Sequence, residues 1–203
     1  MPVKALAIAK SRFAERPTSQ RRPLALAFAL DTIEAALGAA DVEVLLVVAS
    51  DPQVRESLSS FDVVVIDEPV VPGLNVAVRH GAKLLARHQP AAGVVALCAD
   101  LPALKSAELS AVLLQAGDHD RSFLADAAGS GTTLLSARPG IDLDPHFGLE
   151  SSGLHKRSGA AALRGDHASV RHDVDNEEDL SAAIELGLGR WTTALLSVDS
   201  RVD

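Results

Sequence analysis

Asp100 closely follows a short apolar run, residues 94–98 (VVALC), and is itself followed by Leu101 and Pro102. Such a run, bounded by Gly93 and by a proline, predicts a strand buried on both faces. A carboxylate just past that strand sits where open α/β sheets bind ligands, in the crevice at the strand carboxyl ends. The competing role for Asp100 is to cap the next helix, with Pro102 in its first turn. Further on, His172-Asp173-Val174-Asp175 alternates with period two, so Asp173 and Asp175 leave a predicted strand end on one side. An acidic first helical turn follows, with Asp175 or Asn176 as its cap, which leaves Asp173 as the better metal candidate. Hard oxygen donors without His or Cys partners suit Mg²⁺ rather than Zn²⁺.

Cations are concentrated in two places. Lys4, Lys10 and Arg12, then Arg16, Arg21 and Arg22, crowd one end of a chain whose net charge is −8. That cluster is either a solvated helical face or a loop and helix start that holds polyphosphate. Ser151, Ser152, His155, Lys156, Arg157 and Ser158 form the second group. Here Ser151 or Ser152 as N-cap would open a helix whose first amides bind an anion, or simply cap a surface helix with a basic face. Magnesium beside Lys and Arg means phosphate chemistry. Neither a Walker loop nor a dinucleotide glycine motif is present.

The elements that must position these groups alternate strictly at first. A helix over 24–39, strands over 42–49 and 62–66, and helices over 76–88 and 105–116 predict a three-layer, mostly parallel, doubly wound α/β sheet. Asn75 either caps the helix at 76–88 or faces a ligand. Strands over 122–125 and 132–137 flank residues 126–131 as a hairpin, a small antiparallel insertion of the kind that walls an acceptor site, with Gly129-Ser130-Gly131 as its turn. The chain reads as one domain over 1–203, with a core over 3–187 and a tail over 188–203. Apolar residues make up 47% and aromatics 3%, so the core is aliphatic, and the single Cys98 belongs to it. The negative charge argues against nucleic acid or a membrane surface as partner, and the absence of a signal peptide or spanning segment predicts a cytoplasmic protein.

Six short motifs stand in a telling order: KALAIAKSR (4–12), ADLPAL (99–104), GSGT (129–132), Phe147-Gly148 with Ser151-Ser152, RSGA (157–160) and DVD (173–175). In this the chain resembles the phospholactate guanylyltransferases of deazaflavin coenzyme F-420 biosynthesis, which share the nucleotide-diphospho-sugar transferase-like fold of the molybdopterin guanylyltransferases. The resemblance runs from about Val3 to about Leu186. It implies transfer of GMP from GTP to a phosphorylated three-carbon acid, with release of pyrophosphate. The acid is phosphoenolpyruvate or 2-phospho-L-lactate, and the Ala-rich, Arg-over-Lys composition leans toward the former. By the same resemblance Asp100 and Asp173, with Asp175 near, hold Mg²⁺. Thr132, Gly148 and Ser151 contact the acid; Lys4, Lys10 and Arg12 approach the GTP phosphates, with Lys10 among the catalytic groups. A downstream transferase of the coenzyme F-420 pathway is an implied partner. Only Met1, Pro2 and Val3 precede Lys4 where the family has a full apolar strand, so either the first strand is shortened or the start is placed late. A nucleotidyltransferase of the same fold acting on a sugar phosphate or a pterin, and a catalytically inactive nucleotide-binding protein, are the rival functions.

Overall fold

A computed structural model describes residues 1–3, 6, 13 and 16–199. Six strands run β1 (Leu46–Val48), β2 (Val64–Ile66), β3 (Val94–Leu97), β4 (Arg121–Ala125), β5 (Thr132–Ala137) and β6 (Ala161–Ala162). The α-helices are α1 (Thr18–Leu37), α2 (Pro52–Ser57), α3 (Leu74–His88), α4 (Ser106–Ala116), α5 (Ser151–Arg157), α6 (Ala168–Arg171), α7 (Glu177–Leu186) and α8 (Arg190–Asp199).

β1 and β2 pair in parallel, and Pro2 bridges Val48 in parallel on the other edge of β1. Met1–Val3 thus lies along that edge of β1, and the Met1 terminal nitrogen donates to the Leu46 carbonyl. Burial pushes the pKa of that ammonium down to about 5. The other strands stand in the order β3-β5-β4-β6, with β5 antiparallel to both neighbours and β4 parallel to β6. The predicted hairpin is thus present, but β5 lies inside the sheet rather than beside it, and all six of its residues are buried.

The strands alternate between two helical layers, as period two requires. Leu46, Val48, Ala96, Phe123 and Leu135 cluster with Ala77 and Val78 of α3. Val47, Leu97, Leu124 and Leu134 cluster with Ile33 of α1 and Leu109 of α4. The first helix begins earlier than periodicity indicated, and Pro23 lies inside it. The segment over 172–175 is extended but is not a strand. Its alternation is real, with Val174 fully buried. It joins the end of β3 through the Val174 N–H, which donates to the Asp100 carbonyl at 3.0 Å. Residues 190–199, placed in the predicted tail, form α8 against α1.

Candidate active site

The loop after β3 is held from every side. Cys98 N–H donates to the Thr133 carbonyl, and the Leu101 N–H to Oγ1 of Thr32, a fully buried hydroxyl on α1. The Pro102 carbonyl accepts from Gly189 N–H, and Lys105 N–H donates to Ser169 Oγ, itself bonded to Glu108. Asp100 is therefore fixed at the strand's carboxyl end. It does not cap a helix: α4 starts only at Ser106, with Lys105 at the N-cap, so Pro102 is outside its first turn.

Asp173 stands beside it through the Val174–Asp100 bond. Burial, then the charges of Asp100, Asp175 and Asp126, push the Asp173 pKa up to about 7. Asp126 is the member that sequence reasoning took for part of a turn. One of its oxygens accepts the Gly131 N–H at 2.8 Å; the other is buried without a hydrogen-bond partner among the described residues. A Cβ on Gly131 would fall 2.3 Å from Asp126 Oδ2, so only glycine leaves room for this carboxylate. The Ala127 N–H to Arg171 carbonyl bond ties the hairpin to the segment that carries Asp173. Asp175 opens the turn before α7, where its N–H donates to Asp179 and Asn176 is the cap, in a capping box.

This is a hard, anionic donor set under mutual repulsion, which suits a divalent cation. Among the described residues no three His, Cys, Asp or Glu side chains enclose a metal by themselves. Magnesium fits such a site, since it commonly takes one or two carboxylates and leaves its other positions to water and substrate phosphates.

Thr132, Gly148 and Ser151, which the sequence resemblance assigns to the acid, sit one strand over. Thr132 opens β5, where Cys98 Sγ meets its carbonyl, which places it next to the loop of Asp100. Its side chain is buried and bonded to His155 Nδ1 at 3.0 Å. Gly148 is exposed, with φ +133°, and its carbonyl accepts from the N–H of the buried Ser151. Neither Ser151 nor Ser152 is an N-cap: Glu150 holds that position without a side-chain bond, and Ser152 Oγ instead donates to the Gly129 carbonyl. Asn75 does not cap α3 either. Its amide brackets Phe147, accepting the backbone N–H at 2.7 Å and donating to the carbonyl at 2.9 Å. Arg121 closes the wall with bonds to the carbonyls of Leu143, Asp144 and Ser158. Lys4, Lys10 and Arg12 lie outside the described residues. A groove of about 470 Å³ opens at the opposite end of the sheet, lined by Leu45, Val94 and Arg138, and takes in none of these groups.

A family model for guanylyl transferases of the CofC-like type matches residues 1–198. The chain belongs to the CofC-like guanylyl transferase family. This guanylyl transferase is 49% identical over 197 residues to the phosphoenolpyruvate guanylyltransferase of Streptomyces avermitilis, covering 96% of this chain and 91% of that one. Among solved structures, a nucleotide-diphospho-sugar transferase-like protein from Desulfovibrio desulfuricans superposes with a TM-score of 0.69 at 15% identity, over 99% of this chain and 93% of the other. Rv0371c of Mycobacterium tuberculosis, in complex with manganese, gives 0.56 at 22% identity, over 78% and 86%. These two establish the fold. Among the described residues no helix is long and apolar enough to cross a membrane.

Proposed function

We propose that the chain joins GMP from GTP to phosphoenolpyruvate, releasing pyrophosphate, in the route to the deazaflavin coenzyme F-420. The observation that carries this reading is the pairing of an acidic pole, Asp100 and Asp173, with a hydrogen-bonded wall bearing Thr132, Gly148 and Ser151, at the carboxyl end of β3. The relative's name adds the acid. A phosphate oxygen of the acid attacks the α-phosphorus of GTP; that P–O bond forms as the bond to the β-phosphate oxygen breaks. The nucleophile is already anionic, so no general base is needed. What the protein contributes is alignment and relief of anion–anion repulsion.

In this reading Asp100 and Asp173 hold Mg²⁺, with Asp175 behind them, and the ion when bound neutralises charge on the polyphosphate. Lys4, Lys10 and Arg12 hold the GTP phosphates, and Thr132, Gly148 and Ser151 the acid. The activated product passes to a downstream transferase in the cytoplasm. Pyrophosphate release from GTP and Mg²⁺, offered phosphoenolpyruvate and 2-phospho-L-lactate in parallel, tests the reading. Turnover with phosphoenolpyruvate, lost in Asp100→Ala, is the expected result. A folded sample silent with both acids overturns it.

A further inference from the structure

We propose that His155 is a positioning residue of the acceptor subsite: held as the Nδ1–H tautomer between His146 and Thr132, it leaves the Thr132 hydroxyl proton for an anionic oxygen of the acid. This rests on the reading of Thr132 as an acceptor-subsite residue. Sequence patterning grouped His155 with Lys156 and Arg157 on a basic surface turn, yet the ring is fully buried while both neighbours are exposed. Phe147 meets it edge-on at 5.2 Å, with Phe123 and His146 at 5.9 and 6.0 Å.

The tautomer follows from the partners. The His146 backbone N–H donates to Nε2 at 2.9 Å, and an N–H has no lone pair to offer, so Nε2 carries none of the ring's protons. A neutral ring then has its proton on Nδ1, 3.0 Å from Thr132 Oγ1, where it donates. Thr132 Oγ1 has no other hydrogen-bond partner among the described residues. Its own proton is therefore unused by the described residues. An anionic phosphate or carboxylate oxygen can only accept, and a freely rotating hydroxyl could turn a lone pair toward it. With one lone pair engaged by His155, Thr132 meets the anion as a donor.

The same ring fixes the loop at His146, and Asn75 fixes it at Phe147, one residue before Gly148. Among the charged groups facing the ring, His146 and Arg121 oppose its protonation and Asp144 favours it. Burial first, then His146 and Arg121, lower its pKa to about 4, in keeping with a neutral ring during turnover.

Long-range ¹H–¹⁵N spectra of the intact protein should show Nδ1 protonated and Nε2 bare, without titration between pH 8 and pH 5.5. Phosphoenolpyruvate, added with Mg²⁺ and a non-hydrolysable GTP analogue, should then shift the Nδ1 resonance beyond the analogue alone. Thr132→Val should raise KM for phosphoenolpyruvate roughly tenfold, the scale of one hydrogen bond to a charged group, with KM for GTP unchanged. His155→Gln, which can still accept from His146 but offers Thr132 no Nδ1-like donor, should do the same and add little in the double variant. His155→Asn, whose amide nitrogen stands near Nδ1, should recover much of the loss. The Nε2–H tautomer, or no Nδ1 shift with the acid, overturns the proposal even if the variants do not fold. If Thr132→Val raises KM for the acid but His155→Gln does not, the proposal alone falls. If Thr132→Val leaves it unchanged, the acceptor-subsite reading falls and takes the proposal with it.

Discussion

Two walls flank the end of β3, and their polar groups are arranged in opposite ways. On one side Asp100, Asp126 and Asp175 repel the charge of Asp173, which holds its proton up to about neutral pH, and one Asp126 oxygen is buried without a hydrogen-bond partner among the described residues. On the other side His155, Asn75 and Arg121 direct their polar atoms at backbone groups or at Thr132. The first wall carries a repulsion that a cation would relieve; the second has its polar groups paired. In the proposed transfer both have a use: the paired wall would align the nucleophile while the acidic pole would gather the metal and polyphosphate.

The sharpest way to break this contrast is to neutralise the acidic pole without changing its shape. Asp173→Asn should lower kcat by on the order of 10²-fold or more, as loss of such an electrostatic group does. It should also stabilise the metal-free protein at pH 8, by a few kcal/mol at most, given the distance of about 7 from the ordinary value of 3.8. Activity and stability would then move in opposite directions, which calorimetry beside a rate assay reads directly. On the other wall they should fall together. Arg121→Ala leaves the carbonyls of Leu143, Asp144 and Ser158 without their donor and should cost about 2–4 kcal/mol in denaturant unfolding. An Arg121→Ala protein as stable as the parent would remove the distinction between the walls.

A smaller effect lies in the pH dependence. The folded Asp173 pKa is raised, so the folded state binds more protons than the unfolded chain between about pH 4 and pH 7. Its contribution to stability is full at low pH and is lost as pH rises through 7. Met1 and His155, whose pKa values are lowered, act in the reverse sense: their contributions are lost as pH falls. The stability difference between the parent and Asp173→Asn, followed from pH 4 to pH 8 without metal, isolates the aspartate and should grow with pH. Added Mg²⁺ should shrink that difference at pH 8. A difference flat with pH would mean that neither burial nor the neighbouring carboxylates raise the Asp173 pKa in the folded protein.

Asp100 and Asp173 were legible in the sequence because each stands at the end of a segment with a period-two or continuous apolar pattern, and a period states which way a residue points. Asp126 was not, because its meaning depends on β5 being inserted between β3 and β4, a pairing that no local pattern records. His155 was hidden for a related reason. In a helix of only seven residues, polar neighbours at 156 and 157 outweigh the one position that turns inward. Asn75 satisfied the local rule for a cap, yet Gly73 holds that position and the amide reaches instead to Phe147, 72 residues away. The alternation of strands and helices and the hairpin could be read; the order of strands and the partners across long separations could not.

The docking of α8 has a consequence for how the molecule is made. Asp31 lies on α1, is buried, and accepts the Trp191 and Thr192 N–H groups; a Cβ on Gly189 would strike its carboxylate. Burial raises its pKa, while the bonds from Thr192 and Trp191 pull it back. During synthesis that carboxylate leaves the ribosome some 160 residues before the amides that satisfy it. At ordinary translation speeds of about 5–20 residues per second, it waits on the order of ten seconds or more. The face of α1 that carries Asp31 cannot settle in that interval, so α1 is completed by α8.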